Sequence, residues 1–161
     1  MSNLSNVYNP LFLKNEELKT TLELLFFLSK DLDNNLKPIL KEVGYNRTHF
    51  SVIFLSSKNF SLTIKEFLAI LNIRKQSLSK VINKLKEDGI ILLKQSKKDK
   101  RKKNIYLTKK GIKIEKKLTD KQINNIANAY KNAGTDSING FKKILLNLLS
   151  KTSKTILRKK I

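Results

Sequence analysis

Residues 63–107 read TIKEFLAILNIRKQSLSKVINKLKEDGIILLKQSKKDKRKKNIYL, and this stretch decides the fold. In its middle part, residues 75–88, apolar side chains recur at i, i+3, i+4 and i+7, which places them on one face of a helix. The opposite face carries lysines, amides and hydroxyls. Gly89 comes next, at a position suited to the left-handed residue that ends a helix. The predicted apolar face consists of Leu78, Val81, Ile82 and Leu85.

A shorter helix is predicted at residues 63–71, directly before this one. Thr63 and Glu66 form a capping-box pattern, in which Thr63 caps the helix and Glu66 reaches back from its first turn. Only residues 72–74 separate the two helices, a connection short enough for a helix-turn-helix.

The period of the pattern changes after the second helix. Residues 90–93 are apolar and partly β-branched, and residues 105–107 form a second run of this kind. Between them, residues 95–104 form an almost entirely basic hairpin loop. A helix-turn-helix followed by a charged β-hairpin predicts a winged helix, mainly α with a small β-hairpin wing.

Two short motifs in this stretch resemble signatures of the MarR family of transcription regulators. The DKR sequence at residues 99–101 is similar to the Asp-x-Arg wing of that family, and LTKKG at residues 107–111 is similar to its Leu-Thr-x-x-Gly signature. The resemblance covers residues 50–118 and continues outside them only as a helical pattern. It implies a winged-helix DNA-binding dimer in which Arg101 enters the minor groove and Asp99 holds it in position.

The polar face of the second helix, termed the recognition helix below, is the predicted reading surface. Amides and hydroxyls can read base edges, while lysines mostly neutralise phosphates. Arg74 stands where a Ser or Thr cap is common in the family, so this helix start lacks a side-chain acceptor. The predicted DNA-binding residues are Lys75, Gln76, Ser77, Ser79, Lys80, Asn83 and Lys84 on the helix and Lys98, Asp99, Arg101 and Lys102 in the wing.

The charge of the chain points to a polyanionic partner. Its 34 Lys and Arg against 13 Asp and Glu give a formal net charge of +21 over 161 residues. An acidic membrane surface is the competing partner. No apolar run approaches the roughly 18 residues of a spanning helix, and the N-terminus lacks a signal-peptide layout. A cytoplasmic protein with no membrane partner is expected.

Enzymatic chemistry has little support in the sequence. The chain has no cysteine, which excludes thiol chemistry. Its single histidine, His49, makes a zinc or haem site with histidine ligands unfavourable. Paired carboxylates, a nucleophile elbow and a phosphate-binding glycine loop are also lacking. We therefore expect no enzyme activity, cofactor or metal.

Helical patterns continue on both sides of the winged helix. A long helix is predicted from Asn15, with Pro38 kinking or ending it and Gly44 terminating the segment after Pro38. Asn46 is predicted to cap a helix over residues 47–58, with Phe50, Ile53 and Phe54 facing inward. Thr108 is predicted to cap a helix over residues 109–133, and Thr135 or Asp136 to cap one last helix.

The apolar stripes of these flanking helices exceed what one small winged domain can cover. Helices from two chains together would bury them, which predicts a homodimer. The expected organisation is a single domain, with a DNA-binding lobe at residues 46–108 and a helical dimerisation region at residues 1–45 and 109–161.

Tyr45, Arg47 and His49 are the candidate ligand-binding residues. The family resemblance implies that effectors bind near this segment. The alternative is that Tyr45 and His49 are ordinary, partly buried residues of a helix start, which is favoured because a lone histidine among apolar residues usually packs.

These features predict a sequence-specific, double-stranded DNA-binding transcription regulator that represses from palindromic sites and is released by a small-molecule effector. The main alternative is a basic RNA-binding or ribosome-associated protein that uses the winged helix for phosphate contact alone. A third is an architectural protein whose apolar ends assemble into larger complexes. Gln76, Ser79 and Asn83 favour the first, since phosphate contact alone needs only Lys and Arg.

Overall fold

The computed structural model describes residues 13–57, 62–95 and 103–158. The chain forms two compact units, which divide after Leu36. Within the described residues the order of elements is α1 (Asn15–Glu42), α2 (Arg47–Ser57), α3 (Ile64–Leu71), α4 (Lys75–Glu87), β1 (Ile91–Gln95), β2 (Lys103–Leu107), α5 (Lys109–Ala133), α6 (Thr135–Leu148) and α7 (Lys151–Arg158).

Helix α1 begins at Asn15, as predicted, but it continues through Pro38 to Glu42. Pro38 was expected to kink or end the helix, and the expected end at Pro38 is therefore wrong. Proline removes a single backbone donor, and Pro38 is exposed, so solvent can replace the missing hydrogen bond. The helix end itself is as predicted, because Gly44 adopts a φ of +72° just beyond it.

Helix α2 begins at the predicted cap. The Asn46 Oδ1 atom accepts from the backbone N–H groups of Thr48 and His49 at 3.0 and 3.2 Å. Val52 and Ile53 are fully buried, whereas Phe54 is 36 % exposed, so the inward placement of Phe54 is wrong. Helix α2 packs against α4, α5 and β2, and these elements enclose Val52 and Ile53, whereas Phe54 lies on the outward side of the helix.

The helix-turn-helix matches the sequence-based prediction. Both hydrogen bonds of the capping box are present at the start of α3, between Thr63 and Glu66. Asn72 then takes a left-handed conformation, with a φ of +49°, and turns the chain into α4. The four predicted apolar residues of α4, Leu78, Val81, Ile82 and Leu85, are all buried. Helix α4 is the recognition helix.

The hairpin after the recognition helix is longer than predicted. β1 and β2 pair antiparallel from Ile91 opposite Leu107 to Gln95 opposite Lys103. The sequence pattern places Gln95, Lys103 and Asn104 in the loop, but they lie in the ladder, because backbone pairing continues past the last apolar residue. Asn104 is also buried and bridges to Thr63, which ties the hairpin to the start of α3.

The LTKKG sequence at residues 107–111 forms a close joint between the recognition helix and α5. The Thr108 Oγ1 atom accepts from the Gly111 N–H at 3.0 Å and donates to the Gly89 carbonyl at 2.6 Å. A Cβ on Gly111 would lie 2.1 Å from the carbonyl oxygen of Ile90. Only glycine therefore allows α5 to start this close to the end of the recognition helix.

The C-terminal part differs from the prediction in two ways. The single last helix is in fact two, α6 and α7, because Leu149 is extended at a ψ of 144°. Gly134, not Thr135 or Asp136, occupies the N-cap of α6, with no side-chain hydrogen bond to that helix. Ser150 starts α7, where its Oγ accepts from the Ser153 N–H at 3.2 Å.

Candidate nucleic-acid interface

The recognition helix is amphipathic in the way that a reading element requires. Its apolar side is anchored in the core, and this leaves the polar side at the surface. All seven of its predicted DNA-binding residues are exposed, namely Lys75, Gln76, Ser77, Ser79, Lys80, Asn83 and Lys84. The surface therefore offers amide and hydroxyl groups between lysines, although the role of each residue stays a prediction.

The start of the recognition helix is open to a polar partner. Arg74 occupies the N-cap position with an extended backbone and makes no side-chain hydrogen bond to the helix, as expected from the sequence. The first N–H groups of a helix need acceptors from outside the helix, and a phosphate oxygen meets that need well.

The end of the recognition helix is held by several elements at one residue, Asp88. The Tyr45 hydroxyl donates to Asp88 Oδ2 at 2.9 Å, and Lys84 Nζ donates to Asp88 Oδ1 at 2.9 Å. Lys110, at the start of α5, donates from Nζ to the Asp88 backbone carbonyl at 2.8 Å. The hydrogen bond from Lys84 is the main cause that lowers the pKa of the Asp88 carboxyl, so this group stays charged.

Tyr45 and His49 form a stacked pair beside this point. Their ring centroids are 5.1 Å apart and the ring planes differ by 11°. His49 Nδ1 lies 2.8 Å from Asn46 Oδ1, which fixes the imidazole. Burial lowers the pKa of His49, while nearby Asp88 raises it and Lys84 lowers it further. Burial thus favours the neutral form of the imidazole.

A cleft of about 520 Å³ separates the start of α2 from the recognition helix. Of the three predicted ligand-binding residues, His49 lines this cleft. Tyr45 is half-buried and bonded to Asp88, and Arg47 is exposed at the first position of α2. The cleft is lined by Asn46, Thr48, His49, Ser77, Lys80, Val81 and Lys84.

The wing is described only along its two strands. Lys94 and Lys103 are exposed, and Lys94 Nζ lies 5.7 Å from the ring centroid of Tyr106. The four predicted wing contacts, Lys98, Asp99, Arg101 and Lys102, lie outside the described residues and stay predictions.

Two residues of this region carry contacts that the sequence pattern does not predict. Asp88 lies four residues after Lys84, and this ion-pair spacing could have marked it. Lys110 gives no comparable signal. The bond between Tyr45 and Asp88 joins residues 43 positions apart, and no local pattern indicates it.

A helix-turn-helix with an outward polar face, followed by a hairpin, defines the winged-helix class of DNA-binding proteins. A model of the MarR family matches residues 43–102. The HTH-type transcriptional regulator PetP of Rhodobacter capsulatus is 31 % identical over 135 residues, which span 84 % of this chain and 81 % of PetP. The chain belongs to the MarR family and is a DNA-binding transcription regulator.

Solved structures agree on the fold. NadR in complex with 4-hydroxyphenylacetate gives a TM-score of 0.66 at 19 % identity, covering 77 % of this chain and 88 % of NadR. A MarR family protein from Bacillus stearothermophilus gives 0.65 at 19 % identity, covering 83 % and 94 %. The S. aureus MepR F27L mutant bound to an oligodeoxyribonucleotide gives 0.52 at 17 % identity, covering 86 % and 90 %.

Membrane-spanning helices and metal clusters are both absent from the described ranges. No helix among residues 13–57, 62–95 and 103–158 is long and apolar enough to cross a bilayer. In the same part of the chain, no three His, Cys, Asp or Glu side chains stand together as a metal site would need.

Proposed function

We propose that the protein is a homodimeric, sequence-specific repressor that binds palindromic duplex DNA and is released by a small ligand. The observation that carries this proposal is the exposed face of the recognition helix. Gln76, Ser79 and Asn83 stand there among lysines, on a helix whose other side is locked in the core. An amide can make a bidentate pair with adenine in the major groove, which lysine cannot do.

A dimer is supported by the apolar surface of the flanking helices. Leu22 and Phe27 of α1 are 67 and 63 % exposed, and Leu148 of α6 is 63 % exposed. Large apolar patches of this kind mark association surfaces, and a stable interface buries on the order of 800 Å² per partner. Further exposed apolar residues are Leu18, Leu24, Phe26 and Leu28 in α1, Ile112, Ile123 and Ile126 in α5, and Phe141, Ile144 and Leu146 in α6.

In the proposed dimer, each chain contributes one DNA-binding lobe and one half of the dimerisation region. Residues 46–108 form the DNA-binding lobe, and residues 1–45 and 109–161 form the dimerisation region. Two recognition helices related by a two-fold axis read two half-sites, so the operator is a palindrome. The wings extend the contact, with Arg101 in the minor groove and Asp99 holding it.

A small-molecule effector is proposed to bind at the start of α2. The relative NadR carries 4-hydroxyphenylacetate in its solved complex. In this chain, Tyr45, Arg47 and His49 are the proposed ligand-binding residues, and His49 lines a cleft that also reaches the recognition helix. A ligand bound there would sit beside Lys80 and Lys84 and would compete with DNA for the same surface.

The protein is proposed to act without catalysis and in the cytoplasm. The family to which it belongs is one of transcription regulators, and its recognition helix offers hydrogen-bond donors and cations to a partner. Its proposed partner, duplex DNA, is in the cytoplasm of a bacterium such as the one that contains the relative PetP.

RNA binding is the second candidate, and the net charge of +21 favours it as much as it favours DNA. Selection from random duplex DNA at moderate salt, followed by sequencing, tests the two. A palindromic consensus that duplex RNA cannot displace supports the proposed function. Enrichment without any consensus, or equal competition by RNA, would refute it.

A further inference from the structure

One hydrogen bond joins the end of the recognition helix to the turn between α1 and α2. The Tyr45 hydroxyl donates to Asp88 Oδ2 at 2.9 Å, across 43 residues of sequence. The other carboxylate oxygen, Oδ1, accepts from Lys84 Nζ at 2.9 Å. The two oxygens of Asp88 thus have different partners, one fixed in the scaffold and one on the DNA-facing surface.

Tyr45 is the fixed end of this chain of contacts. It is half-buried, and its ring stacks on His49, which is itself bonded to Asn46. Lys84 is the adjustable end, since its side chain is 52 % exposed. An exposed lysine samples many rotamers, and each restraint on it lowers the entropy that it loses when it binds a phosphate.

We propose that Tyr45 is a positioning residue for DNA recognition, which acts through Asp88 to hold Lys84 at the end of the recognition helix. The proposal rests on the proposed sequence-specific duplex binding and extends it to a residue that does not touch DNA. Asp88 adds a negative charge beside a surface that meets phosphates. That charge weakens binding to any DNA unless its orientation of Lys84 offsets the repulsion.

The end of the recognition helix does not need Tyr45 for its stability, so a change at Tyr45 tests the positioning of Lys84 alone. The helix end is closed without Tyr45, because Ile90 N–H donates to the Leu85 carbonyl at 2.8 Å and Lys110 holds the Asp88 carbonyl. Tyr45→Phe therefore removes one hydroxyl, keeps the ring that stacks on His49 and changes no charge. Long-range attraction to DNA is the same in both proteins.

The test compares Tyr45→Phe with Tyr130→Phe, a matched control whose ring lies in α5, 5.8 Å from Lys142 Nζ. Affinity is measured for a duplex selected by the wild-type protein and for a scrambled duplex. Tyr45→Phe should weaken binding to the selected duplex by about threefold to tenfold, the net effect of one ordinary hydrogen bond. Its loss on scrambled DNA should be smaller, because there the recognition helix takes no fixed register and a restrained Lys84 meets phosphates less regularly. Both affinities of Tyr130→Phe should stay unchanged.

The same change in a Lys84→Gln background decides whether Tyr45 acts through Lys84. If it does, Tyr45→Phe costs nothing further once Lys84 is gone, so the two effects are strongly non-additive. Additive effects, or equal loss on both duplexes, would overturn the proposal. If the wild-type protein itself prefers no duplex, the proposed function fails, and with it the role of Tyr45 in specificity.

A titration without DNA tests the contact independently. In the folded protein the hydrogen bonds from Lys84 and Tyr45 both lower the pKa of Asp88, the one from Lys84 more. In ¹³C carboxyl NMR, Tyr45→Phe should raise the pKa of Asp88, Lys84→Gln should raise it further, and Tyr130→Phe should not move it. An Asp88 pKa that does not change in Tyr45→Phe would show that the hydroxyl does not hold the carboxylate.

Discussion

Adding one methyl group at Gly111 should separate the start of α5 from the end of the recognition helix. An alanine Cβ would lie 2.1 Å from the Ile90 carbonyl oxygen and 3.1 Å from its carbon, where an ordinary contact needs at least 3.4 Å. The obstructing group is backbone and cannot rotate away. It also accepts from the Thr108 N–H at 3.0 Å, so any shift disturbs the residue that caps α5.

Two opposing effects determine how much Gly111→Ala changes the free energy of unfolding. Alanine is favoured over glycine within a helix by up to ~1 kcal/mol, which would stabilise the variant. Overpacking costs about 1–3 kcal/mol and more where backbone must move, so we expect Gly111→Ala to lose about 2 kcal/mol net. Gly140→Ala is the matched control, because Gly140 lies within α6 with nothing within 4 Å of its Cβ position. That variant should gain up to ~1 kcal/mol.

Urea denaturation at one fixed protein concentration measures both variants, since the free energy of unfolding of a dimer depends on concentration. Opposite signs for the same substitution at two helical glycines would support the packing argument. If Gly111→Ala is as stable as the wild-type protein, the close approach to Ile90 is relieved at no cost, and the reasoning about this joint is wrong.

The interface and the flanking helices support four further predictions. Affinity for duplex DNA should fall by about 10³- to 10⁵-fold between about 50 and 200 mM salt if on the order of 6–10 phosphates are neutralised, and a log–log slope near zero would contradict this. In competition assays, Gln76→Ala should remove about 1–3 kcal/mol of discrimination between the selected site and random DNA, and its affinity for random DNA should not change. Arg101→Ala should weaken binding to the selected site and to random DNA, and Asp99→Ala should have part of the same effect. Tighter binding by Asp99→Ala would show that Asp99 does not orient Arg101. Leu148→Glu should dissociate the dimer in light scattering across a dilution series, and a wild-type protein that is a folded monomer at micromolar concentration would rule the dimer out. Because burial lowers the pKa of His49 in the folded state, the unfolded chain binds the proton more readily; stability should therefore fall as pH drops below about 6.5, and His49→Gln should flatten that dependence in urea denaturation.

Local patterns in the sequence predicted the parts of the fold that local physics determines. The apolar spacing of the recognition helix, the capping box at Thr63 and the left-handed Gly89 each depend on residues within one or two turns, and each is found in the structure. The errors lie where the outcome depends on distant neighbours. Phe54 is exposed because of how the neighbouring elements meet α2, and the hairpin runs past its apolar residues because backbone pairing continues regardless of side chains.

The C-terminal error has a different cause. Apolar residues on both sides of Leu149 keep helical spacing, so periodicity alone predicts one helix through it. The better signal was Ser150, whose hydroxyl can start a new helix and does so at the Ser153 N–H. A capping residue inside a stretch with helical spacing should therefore count against a single unbroken helix. Its side chain competes for the backbone N–H groups that an unbroken helix would use.

The candidate site shows the same division between local and distant causes. Which side chains face outward on the recognition helix depends on its period, so the seven exposed residues could be predicted. The residues that hold the end of this helix could not be predicted. They are Tyr45, from a preceding turn, and Lys110, from a later helix, and both contact Asp88. Charge did not help either, since a net charge of +21 supports DNA and RNA equally. Specific recognition needs both parts: exposed groups supply the hydrogen bonds, and the joint restricts the angle at which they arrive. A variant that spares every exposed residue yet loses preference for one duplex is therefore the result that would separate reading from attraction.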